Sequence, residues 1–119
     1  MKKKYSVLKR NGQREDWQIL LADNFFWRLK GLLGTTGLSE RQGLLLTPCN
    51  SVHMVGMIYP LDIVYLDRNR NIIKSVEDLK PLIGISWCFS AKDALEIKSG
   101  AAKKYGWQIG DHLEFEIQN

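Results

Sequence analysis

The residues best equipped for chemistry crowd into one stretch, Thr47-Pro-Cys-Asn-Ser-Val-His-Met-Val-Gly-Met-Ile-Tyr-Pro-Leu-Asp62, which gathers a thiol, an imidazole, two thioethers and a carboxylate. Thiol and thioether ligands suit copper(I), and imidazole also suits zinc. Spacing works against a metal centre. As a strand the segment puts Cys49, His53 and Met57 on one face, each about 13 Å from the next at ~3.3 Å per residue, too far to close on one ion. A helix would bring them together, but Val52, Val55 and the stop at Pro60 favour a strand. Cys49 with His53 as nucleophile and base meets the same objection, and no nucleophile elbow surrounds the cysteine. A metal site at Cys49, His53 and Met57 stays as an alternative, while the expectation is that no metal or cofactor is held.

Asp62 stands out for a different reason. Its face of the strand continues through Val64 and Leu66, so the carboxylate points at apolar surroundings and needs partners there. One reading makes it an acid or base with a shifted pKa. The other has it accept backbone N–H bonds that hold the turn at Pro60. If residues 51–57 and 61–67 form a hairpin, Val55 lies opposite Asp62 and His53 opposite Val64, leaving His53 diagonal to Asp62 at ~7–8 Å between backbones. Met57 lies near the turn of that hairpin. A second cluster is Arg28 with Gly31: arginine forms bidentate contacts with carboxylates and phosphates, and a glycine three residues later lets a ligand or a neighbouring strand approach the helix. Asp62, His53, Met57, Arg28 and Gly31 together form the candidate binding cleft.

The elements that must position these groups follow from periodicity and turn chemistry. Tyr5 to Lys9, Asn11-Gly12 and Trp17 to Leu21 read as a β-hairpin, because Asn-Gly supplies the positive φ angles of a two-residue turn. Phe25, Phe26, Leu29, Leu32 and Leu33 recur at helical spacing, with Asp23 or Asn24 to cap the start and Gly34 to end it. Gly43 to Pro48 predicts a buried strand stopped by proline, and Leu61 to Asp67, apolar on both faces, a central one. Asp67 to Asn71 is a turn and Ile72 to Val76 a further strand. From Ile83 to Phe89 large apolar residues alternate with Gly84, Ser86 and Cys88, which fits a strand or a loop laid over the core. Leu95 and Ile97 alternate with Glu96 and Lys98, predicting a half-buried strand. Ser99 can cap a short helix that Gly106 ends. In the last strand Leu113, Phe115 and Ile117 face in, with His112, Glu114 and Glu116 out.

This pattern predicts a mainly β (α+β) fold: a compact, barrel-like, antiparallel-rich β-structure with two short helices packed on it. The 119 residues suit a single domain over 1–119, with 1–4 a flexible basic terminus. The net charge of +4 is concentrated near the start, in Lys2, Lys3, Lys4, Lys9 and Arg10, and no nucleic-acid module motif accompanies it, so no specific nucleic acid is expected as a partner. No run of about 18 apolar residues exists for a membrane span. The apolar stretch of a signal peptide is missing after the lysines, and Cys49 and Cys88 are too few for a disulfide scaffold. A cytoplasmic location is expected.

Four pieces of the chain resemble the uncharacterised ACR proteins, domain of unknown function 192: Arg28-Leu-Lys-Gly-Leu-Leu33, Gly43-Leu-Leu-Leu46, Cys49 through Asp67 with its Met57-x-x-Pro-Leu-Asp62 core, and Ala94-Leu-Glu-Ile-Lys-Ser-Gly100 leading to Ile109-Gly-Asp111. The resemblance implies a compact β-rich domain and no established activity, substrate or cofactor. Many such proteins are exported and carry a Trp-Met-Lys-Asn type of sequence where this chain has His53-Met-Val-Gly-Met57, and paired cysteines where this chain has only Cys88. Some sit among secretion or pilus-assembly genes, which implies an accessory role. The leading expectation is a non-catalytic binding or accessory module that receives an unknown protein partner or small ligand, at an exposed hydrophobic region around Leu82 to Phe89 or in the cleft near Asp62. The alternative is a small enzyme or metal-binding protein using Asp62 with His53 or Cys49.

Overall fold

The computed structural model describes residues 4–22, 38–54 and 57–118. The expected helix over 25–33, with Arg28 and Gly31, lies outside the described residues, as do Val55 and Gly56. Nine strands and one short helix follow in chain order: β1 (Lys4–Arg10), β2 (Gln13–Ala22), β3 (Gln42–Leu46), β4 (Ser51–His53), β5 (Leu61–Leu66), β6 (Ile72–Leu79), β7 (Ile85–Trp87), β8 (Asp93–Lys98), α1 (Ala101–Lys104) and β9 (Leu113–Gln118). Seven strands form one sheet in the order β6-β5-β8-β3-β2-β1-β9, and β4 pairs with β7 in a separate two-stranded ribbon. All pairs are antiparallel except β2 with β3.

The sheet is mainly antiparallel and compact, but it does not close into a barrel. β6 and β9 remain edges, joined at one end by a single bridge between Asn71 and His112. Closure needs a continuous ladder between the first and last strand, and here β9 instead runs off the core: Leu113 is buried, Phe115 half-buried and Ile117 exposed. Of the two short helices expected, the described residues contain α1.

Local chemistry explains the elements that position the site. Asn11 and Gly12 take φ of 53° and 82°, the mirror-image turn that matches strand twist, and join β1 to β2 with Arg10 opposite Gln13. Asp67 Oδ1 accepts the N–H groups of Asn69 and Asn71, each at 2.9 Å, which fixes the turn from β5 to β6. β5 lies between β6 and β8, and all six of its residues are buried.

Because side chains alternate across the sheet, it carries two apolar layers. One holds Leu8, Trp17, Ile19, Leu45, Val64, Leu95 and Ile97 under α1 and Trp107; Trp17 meets Trp107 at 4.8 Å between ring centroids and Tyr105 edge-on at 5.5 Å. The other holds Leu44, Leu46, Leu61, Ile63, Tyr65 and Ala94 under Val52, Met54 and Met57. The ribbon covers that second layer, and Tyr65 Oη bonds Ser86 Oγ at 3.1 Å to tie it down.

β8 corrects one expectation: its first five residues are all buried. A strand flanked by β3 and β5 and covered on both faces has no wet side, so the alternation of Glu96 with Leu95 and Ile97 separates two interiors rather than core from solvent.

Candidate functional site

Asp62 is the second residue of β5, fully buried, on the face that carries α1. Its Oδ1 accepts the Asp78 N–H at 2.9 Å, and its Oδ2 accepts the N–H groups of Gly100 and Ala102 at 3.1 Å each. These are the open donors at the start of α1, which a carboxylate both satisfies and attracts through the helix dipole. Gly100, at φ 89°, is the cap residue and has no side chain to do this, while Ser99 Oγ, the expected cap, donates to Asp78 Oδ1 at 2.7 Å. So the bonds of Asp62 run to a bulge in β6 and to the helix start, and not to the turn at Pro60.

The expected hairpin between residues 51–57 and 61–67 does not form. β4 stops at His53 and pairs with β7, placing Ser51 opposite Trp87 and His53 opposite Ile85, whereas Asp62 faces Ile97 in the main sheet. His53 is exposed on the outer face of the ribbon; Met57 is buried in the layer beneath it. Cys49 is partly buried, and its Sγ donates to the Ser51 carbonyl at 3.0 Å. Among the described residues no group of three or more His, Cys, Asp or Glu side chains converges for a metal ion, and no helix is long and apolar enough to cross a membrane.

Sequence reasoning passed over Glu96. It keeps 5% of its surface, and its Oε2 is sealed among the described residues with no hydrogen-bond partner. Register places it beside Leu44 of β3 and Ile63 of β5, within the Tyr65 and Met57 layer. Burial pushes its carboxyl up to about 8. Asp93, also buried, has Arg70 Nε 3.3 Å from its Oδ2. Tyr65 is raised as well, first by burial and in part by Glu96.

Two concave surfaces accompany these groups. One, of about 390 Å³, has Leu61 and Lys98 as a register pair in its floor, with Tyr59, Pro60, Ser39 and Ser99 at its sides. The other, of about 680 Å³, is lined by Arg68, Lys92, Cys49 and Phe89, and no carboxylate lines it among the described residues.

The most exposed apolar surface lies on the ribbon and the loop before it. Ile83 and Phe89 are each 83% exposed, Ile85 64%, Leu82 58% and Trp87 50%. The expected alternation of large and small residues is present, with the large ones outward: Ser86 and Val52 face the core, whereas Trp87, Ile85 and His53 face away from it.

The family model for "Uncharacterized ACR", domain of unknown function 192, matches residues 6–115. A UPF0127 protein of Thermococcus sibiricus is 29% identical over 121 residues, which covers 94% of this chain and 75% of that one. A solved structure of a protein of unknown function from Novosphingobium aromaticivorans superposes with a TM-score of 0.77 at 23% identity, over 93% of this chain and 83% of the other. A candidate transcription regulator from Sinorhizobium meliloti gives a TM-score of 0.79 at 22% identity, over 95% and 92%. At such identities the two structures speak for the fold alone.

Proposed function

The chain belongs to the uncharacterised ACR family, and from that premise we propose that it is a non-catalytic binding or accessory module that receives a partner protein on the outer face of the β4–β7 ribbon. One observation carries this reading: the strand residues that point away from the core, Ile85 and Trp87, are large and apolar, and Leu82, Ile83 and Phe89 in the flanking loops are exposed as well. A monomer rarely keeps so many large apolar residues of one segment in water without a use for them. Cations flank the patch. Lys74 Nζ donates to the Trp87 carbonyl at 2.8 Å, and Arg68 and Lys92 share a cleft with Phe89. They favour a partner segment whose apolar residues are accompanied by carboxylates. Asp62 supports the same reading, since its oxygens are engaged by three backbone donors.

The test is a photo-crosslinking residue at Ile83, irradiated in extract of the source cells, followed by purification of the captured protein and titration against the wild-type chain. Ile85→Asp with Trp87→Asp is expected to weaken that complex at least about tenfold, and added salt to weaken it further. An affinity unchanged in the double variant overturns the proposal, as does capture of only a second copy of this chain. An accessory role in secretion or pilus assembly is the narrower form of this reading, and the identity of the captured protein decides it.

A further inference from the structure

Two cations line the 680 Å³ cleft, and neither has an anion to meet it. Its walls come from three segments: Pro48 and Asn50 on the approach to β4, Phe89, Ser90 and Lys92 between β7 and β8, and Arg68 on the turn after β5. Backbone bonds hold these segments together. The Cys49 N–H donates to the Lys92 carbonyl at 2.6 Å, and the Lys92 N–H to the Leu66 carbonyl at 2.9 Å. Leu66 pairs with Asp93, so one step further Asp67 lies beside Lys92 and Arg68 follows it, which starts both cationic side chains from neighbouring backbone. Arg68 and Lys92 are exposed and form no ion pair among the described residues. The carboxylates next to them in sequence are committed elsewhere: Asp67 to the N–H groups of Asn69 and Asn71, Asp93 to Arg70.

We propose that this cleft binds a phosphate monoester carrying a planar ring, its phosphoryl oxygens taken by Arg68 and Lys92 and its ring laid on Phe89. Charge selects the phosphate. A phosphate monoester carries about −1.5 to −2 near pH 7, which two cations match and a single carboxylate does not. Arginine offers a fork of donors that fits phosphate oxygens, and lysine a compact positive charge beside it. The Ser90 hydroxyl and the Asn50 amide add neutral donors to the same walls. Size and apolar lining select the rest of the ligand. A cleft of about 680 Å³ falls within the ~300–1,000 Å³ of organic-ligand sites and is far larger than a bare anion needs. Phe89 is 83% exposed, so its ring is open to stacking, and Pro48 and Ala91 supply further apolar wall.

The inference goes beyond the ribbon reading, in which Arg68 and Lys92 serve only as flanking charge, and its test uses the whole chain with phenyl phosphate as probe. Phenyl phosphate is expected to give saturable NMR shifts at the Arg68 and Lys92 side chains and the Phe89 ring. Arg68→Gln and Lys92→Gln, both exposed changes that leave the fold intact, are each expected to weaken binding about tenfold. Phe89→Ala is expected to weaken phenyl phosphate and to leave methyl phosphate, which has no ring, unchanged. Benzoate, with the ring and a single charge, is expected to bind at least about tenfold more weakly than phenyl phosphate. No saturable shift overturns the proposal, as does an affinity unchanged when Arg68→Gln and Lys92→Gln are combined. Benzoate binding as tightly as phenyl phosphate overturns the choice of phosphate, and an affinity for phenyl phosphate indifferent to Phe89→Ala overturns the choice of a ring. Binding of the probe is expected to persist in Ile85→Asp with Trp87→Asp, whatever those changes do to a protein partner, so a failure of the ribbon reading and a failure of this one are told apart.

Discussion

A carboxylate that accepts three N–H bonds from two different elements holds those elements to each other. Asp62 does this between the bulge at Asp78 and the start of α1. In Asp62→Asn the side-chain amide keeps a single acceptor oxygen and turns N–H groups toward N–H donors, so at least one buried donor is orphaned. Hydrogen bonds to a charged acceptor contribute about 1.5–3 kcal/mol each, and the expected loss is about 2–4 kcal/mol in urea unfolding. His53→Ala, an exposed change, is expected to stay within about 0.5 kcal/mol. Glu96 makes the opposite kind of prediction. Its folded pKa is raised from 4.5 to about 8, so between those values the folded chain holds a proton that the unfolded chain releases. Stability is therefore highest below about pH 4.5 as far as this group is concerned, and it is lost as pH rises through 8. The steepest slope is about 1.4 kcal/mol per pH unit. Unfolding midpoints measured between pH 5 and pH 9 are expected to fall in the wild-type chain and to flatten in Glu96→Gln; parallel curves would assign the slope to another group.

The ribbon is the element most exposed to disturbance, because it is short and hangs on a tight loop. A Cβ placed on Gly84 would collide with the Lys80 carbonyl oxygen and lie 3.0 Å from the Lys80 nitrogen, backbone that cannot turn aside, with the Leu79 side chain at 2.9 Å. Gly84→Ala is expected to cost about 1–3 kcal/mol and to act first on the ribbon. Hydrogen exchange should speed up at the Met54 and Cys88 amides, which bond to Gly84 and Asn50, while the amides of β5 and β8 keep their protection. Equal loss in β5 would make ribbon and sheet one cooperative unit. The same distinction between local and distant contacts governs what could be read from sequence. The β1–β2 hairpin is legible because Asn11-Gly12 is local chemistry, and β5 is legible because both its faces are apolar. The partner of β4 is not, since its strand lies more than thirty residues away, at Ile85–Trp87, and no periodicity reports pairing at that range. The site divides likewise. Burial of Asp62 follows from its apolar neighbours, but its donors are 16, 38 and 40 residues distant. Glu96 escapes because alternation distinguishes two faces without saying that either is wet.

At the scale of the molecule, one sheet separates two apolar layers, and the ribbon gives the second layer a lid whose own two faces have different duties. Inward, Val52 packs with Met54 and Tyr65, and Ser86 bonds the Tyr65 hydroxyl. Outward, Ile85, Trp87 and Phe89 stay largely exposed to water, so folding gains little from them. An apolar side chain stabilises the fold only to the extent that folding removes it from water, at about 25 cal/mol per Å². Substitutions on the inward and outward sides of this lid must then behave differently. Val52→Ala is expected to cost about 1–3 kcal/mol through the lost methyl groups and the gap they leave. Ile85→Lys and Phe89→Lys are expected to change the urea midpoint by the equivalent of about 0.5 kcal/mol or less. They are expected at the same time to suppress concentration-dependent self-association in sedimentation, because each removes exposed apolar area and adds charge to a chain already at +4. If Ile85→Lys destabilises the fold as much as Val52→Ala does, the outer face belongs to the core of the folded chain and is not a surface held open for a partner.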